Sequence, residues 1–102
     1  MPSAAFETAV KESKQLEKKP GQDELLSLYA YYKQTLQEPP IHEAPAPGTF
    51  DLKGKAKKKA WQKVVDAGVT PEQAEQKYIE HVNELKGKYE FNPEKVPEAV
   101  GS

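Results

Sequence analysis

A chain of 102 residues is long enough for one domain with a modest hydrophobic core. The composition is polar, with 36% hydrophobic residues, 30% charged residues and a net charge of -1. No apolar run approaches the roughly 18 residues that a membrane span needs. The absence of cysteine excludes disulfides and thiolate zinc sites. The first residues, MPSAAFETAV, lack the pattern of a secretory leader, so we expect a cytoplasmic location.

Nine prolines divide the chain into four intervals, each long enough for one helix, and none shows the alternation of a β-strand. In the first interval, roughly residues 3–19, small and apolar residues share one helical face. They are Phe6, Ala9, Val10, Ser13 and Leu16. We expect Ser3 to cap this helix and the sequence KKPG at 18–21 to end it.

The second interval, roughly residues 21–38, carries an apolar and tyrosine-rich stripe. Its members are Leu25, Leu28, Tyr29, Tyr32 and Leu36. Lys33 lies one turn after Tyr29, on the flank of this stripe. The following segment, residues 37–49, contains four prolines and a glycine, and we expect a long loop there.

The third interval is predicted to form a helix that starts after Asp51 and stops at Gly68. It carries six lysines between residues 53 and 63 with no acidic residue among them. Helical spacing places Lys53, Lys57 and Trp61 on one face. The same helical spacing predicts that the other lysines, Lys55, Lys58 and Lys59, point outward. Their positive charge would attract an anionic ligand.

The fourth helix has the clearest start, because TPEQ at 70–73 combines a capping box with proline at the first helical position. Its predicted buried face consists of Ala74, Tyr78, Val82, Leu85 and Tyr89. None of the four helices can bury its stripe alone, which predicts an all-α bundle. We expect a domain over residues 1–91 and a flexible tail over residues 92–102.

Catalytic chemistry is not indicated, since His42 and His81 are the only imidazoles and no nucleophile or phosphate-loop motif accompanies them. We therefore expect a binding protein and not an enzyme. The lysine-rich stretch is open to several interpretations: a phosphate site, a grip on nucleic acid or anionic membrane, an import signal, or a solvated face of a purely structural domain. All 15 basic residues are lysines, which argues against specific nucleic-acid recognition because arginine makes the commonest base contact.

Two lysines are expected beside apolar surface, Lys57 next to Trp61 and Lys33 next to the tyrosine stripe. This arrangement predicts a cavity with positive charge at its mouth and an apolar wall behind. A matching ligand would combine phosphate groups with a hydrophobic part.

Several motifs together resemble the acyl-CoA-binding protein family: YAYYKQ at 29–34, PG at 47–48, DLKGKAKKKAW at 51–61, Tyr78 and ELKGKY at 84–89. Their order and spacing match along roughly residues 3–90. The resemblance implies a four-helix up-down-down-up bundle that holds one long-chain acyl-CoA. It also implies an intracellular carrier and pool former with no further cofactor. Expected partners are acyl-CoA-using enzymes and, transiently, membrane surfaces, with no nucleic acid and a monomeric state.

The resemblance also implies ligand contacts at particular positions. Tyr29, Lys33 and Lys57 correspond to the family's contacts to the adenosine 3′-phosphate and adenine. Lys14 corresponds to a further phosphate contact, and Tyr78 to a tyrosine that faces the adenine or ribose. The full set of expected ligand-binding residues is Lys14, Leu25, Leu26, Tyr29, Tyr32, Lys33, Lys53, Lys57 and Tyr78.

Leu25 and Leu26 are expected to line the wall near the acyl chain, with Phe6 and Ala9 as neighbours of that groove. The sequence departs from the family at Lys58, where many members have tryptophan. The 37–49 loop and the 62–70 connection also look longer than usual. The family places the acyl end near the 37–49 loop, so this loop and Lys58 bear on chain-length selectivity.

Overall fold

The computed structural model describes residues 2–97 and contains four α-helices. They are α1 (Ala4–Ser13), α2 (Gln22–Leu36), α3 (Leu52–Asp66) and α4 (Pro71–Lys88). One turn of 3-10 helix, Ile41–Glu43, lies within the long proline-rich loop. Between residues 2 and 97 the chain forms no β-strand, only an isolated bridge between Leu16 and Phe91. The predicted all-α bundle is therefore confirmed.

The predicted helix starts are confirmed by their capping hydrogen bonds. The Ser3 hydroxyl accepts from the backbone N–H of the residue three positions on, and so does the Asp51 carboxylate. At the start of α4, Thr70 and Gln73 form the reciprocal capping box, with Pro71 in the first helical position. Gly68, after α3, has a positive φ of 76°, which glycine adopts without strain.

Contacts between α1 and α4 show that these two helices run parallel. Ser3, at the start of α1, contacts Glu75 near the start of α4. Glu12, near the end of α1, pairs with Lys86 near the end of α4 at 3.1 Å. The contacts therefore advance in the same direction along both helices.

The other two packed pairs fix the rest of the topology. In α2, Glu24 contacts Lys88 at the end of α4, whereas Tyr31 contacts His81 further up α4, so α2 and α4 are antiparallel. The contacts of α2 with α3 advance together along both helices, as described below, so these two are parallel. The bundle is therefore up-down-down-up, as predicted.

The core lies where α1, α2 and α4 meet, and α3 packs mainly on α2. Its buried members are Phe6, Ala9, Leu16, Leu28, Tyr78, Val82 and Leu85. Trp61 of α3 is also buried, outside this cluster, where α3 packs on α2. Among the described helices, α1 packs closely on α4 and α3 on α2, so α1 and α3 are not a closely packed pair.

The prediction that α1 continues to about residue 18 is wrong, because the helix ends at Ser13. The following segment is extended and pairs with the chain after α4. Glu17 N–H donates to the Glu90 carbonyl at 2.8 Å, and Asn92 N–H donates to the Gln15 carbonyl at 3.0 Å. Helix propensity after Ser13 is overridden by these long-range hydrogen bonds.

The same pairing extends past residue 91, where the domain boundary was predicted. The Gln15 side chain donates to the carbonyl oxygens of Pro93 and Lys95, at 3.1 Å each. The boundary itself stays a prediction, and its last part, residues 98–102, lies outside the described residues. In the described part of the chain, no helix is long and apolar enough to cross a bilayer.

Candidate functional site

Two lysines and two aromatic residues form crossed pairs between α2 and α3. The Lys57 ammonium lies 5.3 Å from the centre of the Tyr29 ring, and the Lys33 ammonium lies 5.4 Å from the centre of the Trp61 ring. Each lysine therefore faces the aromatic residue of the neighbouring helix. Both contacts fall in the range of cation–π attraction, which keeps positive charge at the α2–α3 seam.

The buried amide of Gln34 holds these helices together. Its Oε1 accepts from the Trp61 indole N–H at 3.1 Å and from the Gln37 side chain at 2.8 Å, while its Nε2 donates to the Val69 carbonyl at 2.8 Å. Buried polar groups need hydrogen-bond partners. The Gln34 amide is the partner of the Trp61 indole N–H in α3 and of the Val69 carbonyl in the α3–α4 connection. The helical stripe did not predict this role, since polar Gln34 lies outside it; the only available signal was its place in the YAYYKQ motif.

The α2 face toward this seam carries Leu26, Tyr29 and Lys33 at helical spacing. All three are half-buried. The Tyr29 hydroxyl has no hydrogen-bond partner among residues 2–97. Burial raises the pKa of Tyr29, so its hydroxyl keeps its proton at neutral pH and can donate to an anion.

A shallow pocket of about 230 Å³ opens between α1 and α2. Its lining residues are Pro2, Phe6, Glu7, Val10, Tyr32 and Leu36. The Tyr32 ring stacks near Phe6 at 6.0 Å, so aromatic and aliphatic surface forms its walls. Tyr32 thus borders the pocket on the same helix that carries Tyr29 and Lys33.

Tyr78 forms part of the core beneath this pocket. Its ring lies 4.9 Å from Phe6, its exposed fraction is 4%, and its hydroxyl donates to the Ser13 hydroxyl at 3.4 Å. Burial raises the pKa of Tyr78, so the ring is uncharged. Its expected contact with a nucleotide stays a prediction.

The remaining expected site residues occupy different settings. Lys14 caps the C-terminal end of α1 and is half-buried, whereas Lys53 is exposed in the first turn of α3. Leu25 packs against the core, whereas Leu26 does not belong to that cluster. The structure therefore brings Leu26, Lys33 and Lys57 to one seam.

Among the described residues, the lysines of the expected site have no carboxylate partner. Within residues 2–97, Lys18, Lys86 and Lys88 each form an ion pair with a glutamate, whereas Lys14, Lys33 and Lys57 form none. Surface lysines interleaved with acids would pair with them. Unpaired charge at a seam lined by aromatic rings is suited to a phosphate brought by a ligand.

Lys58, which was predicted to point outward, contacts the proline-rich loop. Its side chain is half-buried, and its ammonium donates to the Ala44 carbonyl at 3.3 Å, in the proline-rich loop. Lys55 is exposed but donates to the Thr49 carbonyl at 2.6 Å. Both lysines thus tie α3 to the loop that precedes it, a contact that helical spacing could not reveal because the loop partner is irregular.

Among the residues that the structure describes, no group of three histidine, aspartate or glutamate side chains could hold a metal ion. The arrangement offers positive charge, the Tyr29 hydroxyl and apolar walls, which are the elements of a binding site for an amphiphilic anion.

Comparison with known proteins identifies the family. Residues 3–82 match the family model described as "Acyl CoA binding protein". The chain is 43% identical to the acyl-CoA-binding protein homolog of Drosophila melanogaster over 89 residues, which covers 87% of this chain and 99% of the relative. It is 39% identical to the acyl-CoA-binding protein of Saccharomyces cerevisiae over 89 residues, covering 87% of this chain and 98% of the relative. A Caenorhabditis elegans relative, acyl-CoA-binding protein homolog 1, is 41% identical over 86 residues, covering 83% and 94%. The chain belongs to the acyl-CoA-binding protein family.

Proposed function

We propose that this protein binds long-chain acyl-CoA esters and acts as an intracellular carrier that holds a pool of them, without catalysing a reaction. Membership of the family supports acyl-CoA as the ligand. One observation supports the details most strongly: Lys33 and Lys57 both lie at the α2–α3 seam, where neither they nor the Tyr29 hydroxyl has a carboxylate partner among residues 2–97.

In this proposal the 3′-phosphate lies at the seam, and Lys33, Lys57 and Tyr29 donate to its oxygens. Lys14, from the end of α1, supplies a further phosphate contact. A phosphate monoester carries nearly -2 charge, and each charge-assisted hydrogen bond contributes roughly 1.5–3 kcal/mol. Ligand binding would replace the cation–π contacts of the lysines with these stronger hydrogen bonds.

The acyl chain supplies the second part of the affinity. A hexadecanoyl chain has about 14 methylenes, and complete burial is worth roughly 11 kcal/mol before the cost of association. Leu25 and Leu26 are proposed to form part of its wall. Neither part suffices alone, so free CoA and free fatty acid are expected to bind much more weakly than the ester. Dissociation constants near nanomolar, about -12 kcal/mol, require both.

Calorimetric titration with palmitoyl-CoA tests the head-group assignment. Lys57→Ala is expected to weaken binding about 10- to 100-fold, the equivalent of one lost charge-assisted hydrogen bond, with an unchanged helical circular dichroism spectrum. Lys63→Ala is the matched control, because Lys63 is exposed on α3 and makes no ion pair among the described residues.

A second ligand locates the effect. Palmitoyl-CoA that lacks the 3′-phosphate is expected to bind wild type and Lys57→Ala with similar, weaker affinity. Equal losses for both ligands would place Lys57 away from the 3′-phosphate. Affinity for palmitoyl-CoA that Lys57→Ala and Tyr29→Phe leave unchanged would refute the assignment, and failure of wild type to bind any ester would refute the function.

A further inference from the structure

The chain that follows α4 returns to the end of α1. We call residues 91–95 the return segment. Phe91 forms the isolated bridge with Leu16, and Asn92 N–H donates to the Gln15 carbonyl at 3.0 Å. These contacts fasten the return segment to the chain just after α1.

The Gln15 side chain lies at the centre of this contact. It is 4% exposed, and its Nε2 donates to the carbonyl oxygens of Pro93 and Lys95 at 3.1 Å each. The Lys95 ammonium donates in turn to the Leu16 carbonyl at 2.6 Å. Buried polar groups need such partners, and here each of the two segments supplies them to the other.

Lys14 lies between two buried residues that are held by distant parts of the chain. On one side, the Ser13 hydroxyl donates to the Val10 carbonyl at 2.7 Å and accepts from the Tyr78 hydroxyl of α4. On the other side, Gln15 is held by the return segment. The direction in which the Lys14 side chain leaves the backbone therefore depends on α4 and on the return segment together.

The return segment lies beyond residues 3–82, which match the family model. Its contacts are therefore a feature of this chain that the match does not supply. The other two lysines of the expected phosphate site, Lys33 and Lys57, are placed by the contacts of α2 with α3. A change in the return segment is thus expected to act on ligand binding through Lys14.

We propose that the return segment orients Lys14 toward a phosphate of the ligand, with Gln15 as the positioning residue. This inference rests on the proposed function, in which Lys14 contacts a phosphate. The Gln15 amide is buried and occupied by two carbonyls, so it acts through its neighbour and not on the ligand. Without these hydrogen bonds the backbone after Lys14 would be loosened, and the ammonium would have to be ordered when the ligand binds.

Calorimetric titration of the full chain with palmitoyl-CoA, at low and at high salt, tests this role. Gln15→Met nearly conserves the volume of the buried side chain and removes both donors. We expect it to bind about three- to tenfold more weakly, and Lys14→Ala about 10- to 100-fold more weakly. In the Lys14→Ala background, Gln15→Met should add little further loss, because the two residues act as one unit.

Salt dependence separates positioning from a structural role. Gln15→Met changes no charge, yet it is expected to make the affinity less sensitive to salt, as Lys14→Ala does, since both weaken an ionic contact. Ser3→Ala is the matched control, because it removes a neutral capping hydrogen bond at the other end of α1. We expect it to lower stability while keeping the wild-type affinity and salt dependence.

A second variant keeps the test decisive if Gln15→Met lacks the helical circular dichroism spectrum of wild type. Lys95→Met removes the donor to the Leu16 carbonyl and leaves the buried amide in place. It is also expected to weaken palmitoyl-CoA binding, and this loss should shrink in the Lys14→Ala background.

The positioning role would be refuted by wild-type affinity of Gln15→Met, by a loss that persists in full in the Lys14→Ala background, or by an equal loss in Ser3→Ala. An unchanged salt dependence in Gln15→Met would refute it as well. Wild-type affinity of Lys14→Ala would overturn both the Lys14 contact and this inference, while ester binding by wild type would still stand. A weakened Lys14→Ala beside an unaffected Gln15→Met would refute the positioning role alone.

Discussion

Replacing Trp61 with alanine is expected to weaken the fold and not only the site. The indole is 2% exposed between α3 and α2, and α3 packs on little else than α2. Truncating a buried tryptophan costs about 3–5 kcal/mol, most of it from lost burial and the cavity left behind. The contact with the Lys33 ammonium adds a smaller loss of about 0.5–1 kcal/mol.

One feature places the expected cost in the lower part of that range. Gln34 Oε1 loses the indole N–H but still accepts from the Gln37 side chain at 2.8 Å, so no buried acceptor is left without a partner. We therefore expect about 3–4 kcal/mol, against a total stability of roughly 5–15 kcal/mol for a domain of this kind.

Urea denaturation followed by far-ultraviolet circular dichroism measures the loss, because the variant has no tryptophan fluorescence. With a urea dependence of roughly 1–2 kcal/mol per molar, the midpoint is expected to fall by about 2–3 M. Trp61→Phe is the control: it keeps an aromatic ring and loses the N–H donor, so a fall of about 1 M is expected. A midpoint for Trp61→Ala within about 0.5 M of wild type would refute the view that this indole holds α3 in place.

Two further predictions concern stability. Hydrogen bonds from the Tyr89 hydroxyl and the Lys88 ammonium lower the pKa of Glu24 from 4.5 to about 2, so its stabilising effect is present above about pH 4.5 and lost as the pH falls toward 2. The urea midpoint of wild type should therefore fall more steeply between about pH 6 and pH 3 than that of Glu24→Gln, and parallel curves would contradict this. Gly54→Ala should cost about 0.5–2 kcal/mol in urea denaturation, because its β-carbon would overlap the Asp51 carboxylate that caps α3; no change in the midpoint would mean that the cap adjusts freely.

Local sequence signals predicted the starts of the helices well. The capping box at Thr70 and the proline at Pro71 depend on hydrogen bonds within one turn, so their chemistry can be recognised from adjacent residues. The same holds for Asp51 at the start of α3. The end of α1 could not be predicted this way, because Gln15 and Glu17 find their backbone partners after α4, more than 70 residues along the chain.

The candidate site was predictable in part, for the same reason. Helical spacing placed Lys57 beside Trp61 and Lys33 beside Tyr29, since those relations lie within one helix. The pairing of Lys57 with Tyr29 and of Lys33 with Trp61 depends on how α2 and α3 align. Residue spacing within one helix does not determine that alignment. The half-buried position of Lys58 depends likewise on an irregular loop, through the carbonyl of Ala44.

The amide of Gln34 gives the bundle a fixed register. Apolar surfaces tolerate sliding, whereas a side chain that must satisfy the Trp61 indole and the Val69 carbonyl at once admits one alignment of α3 against α2. A slip by a single helical turn would carry Lys57 about 5.4 Å along α2, away from Tyr29 and toward Lys33. The neutral side chain of Gln34 thus fixes the distance between the two ammonium groups. A change at Gln34 would alter anion recognition by moving Lys57 relative to Lys33.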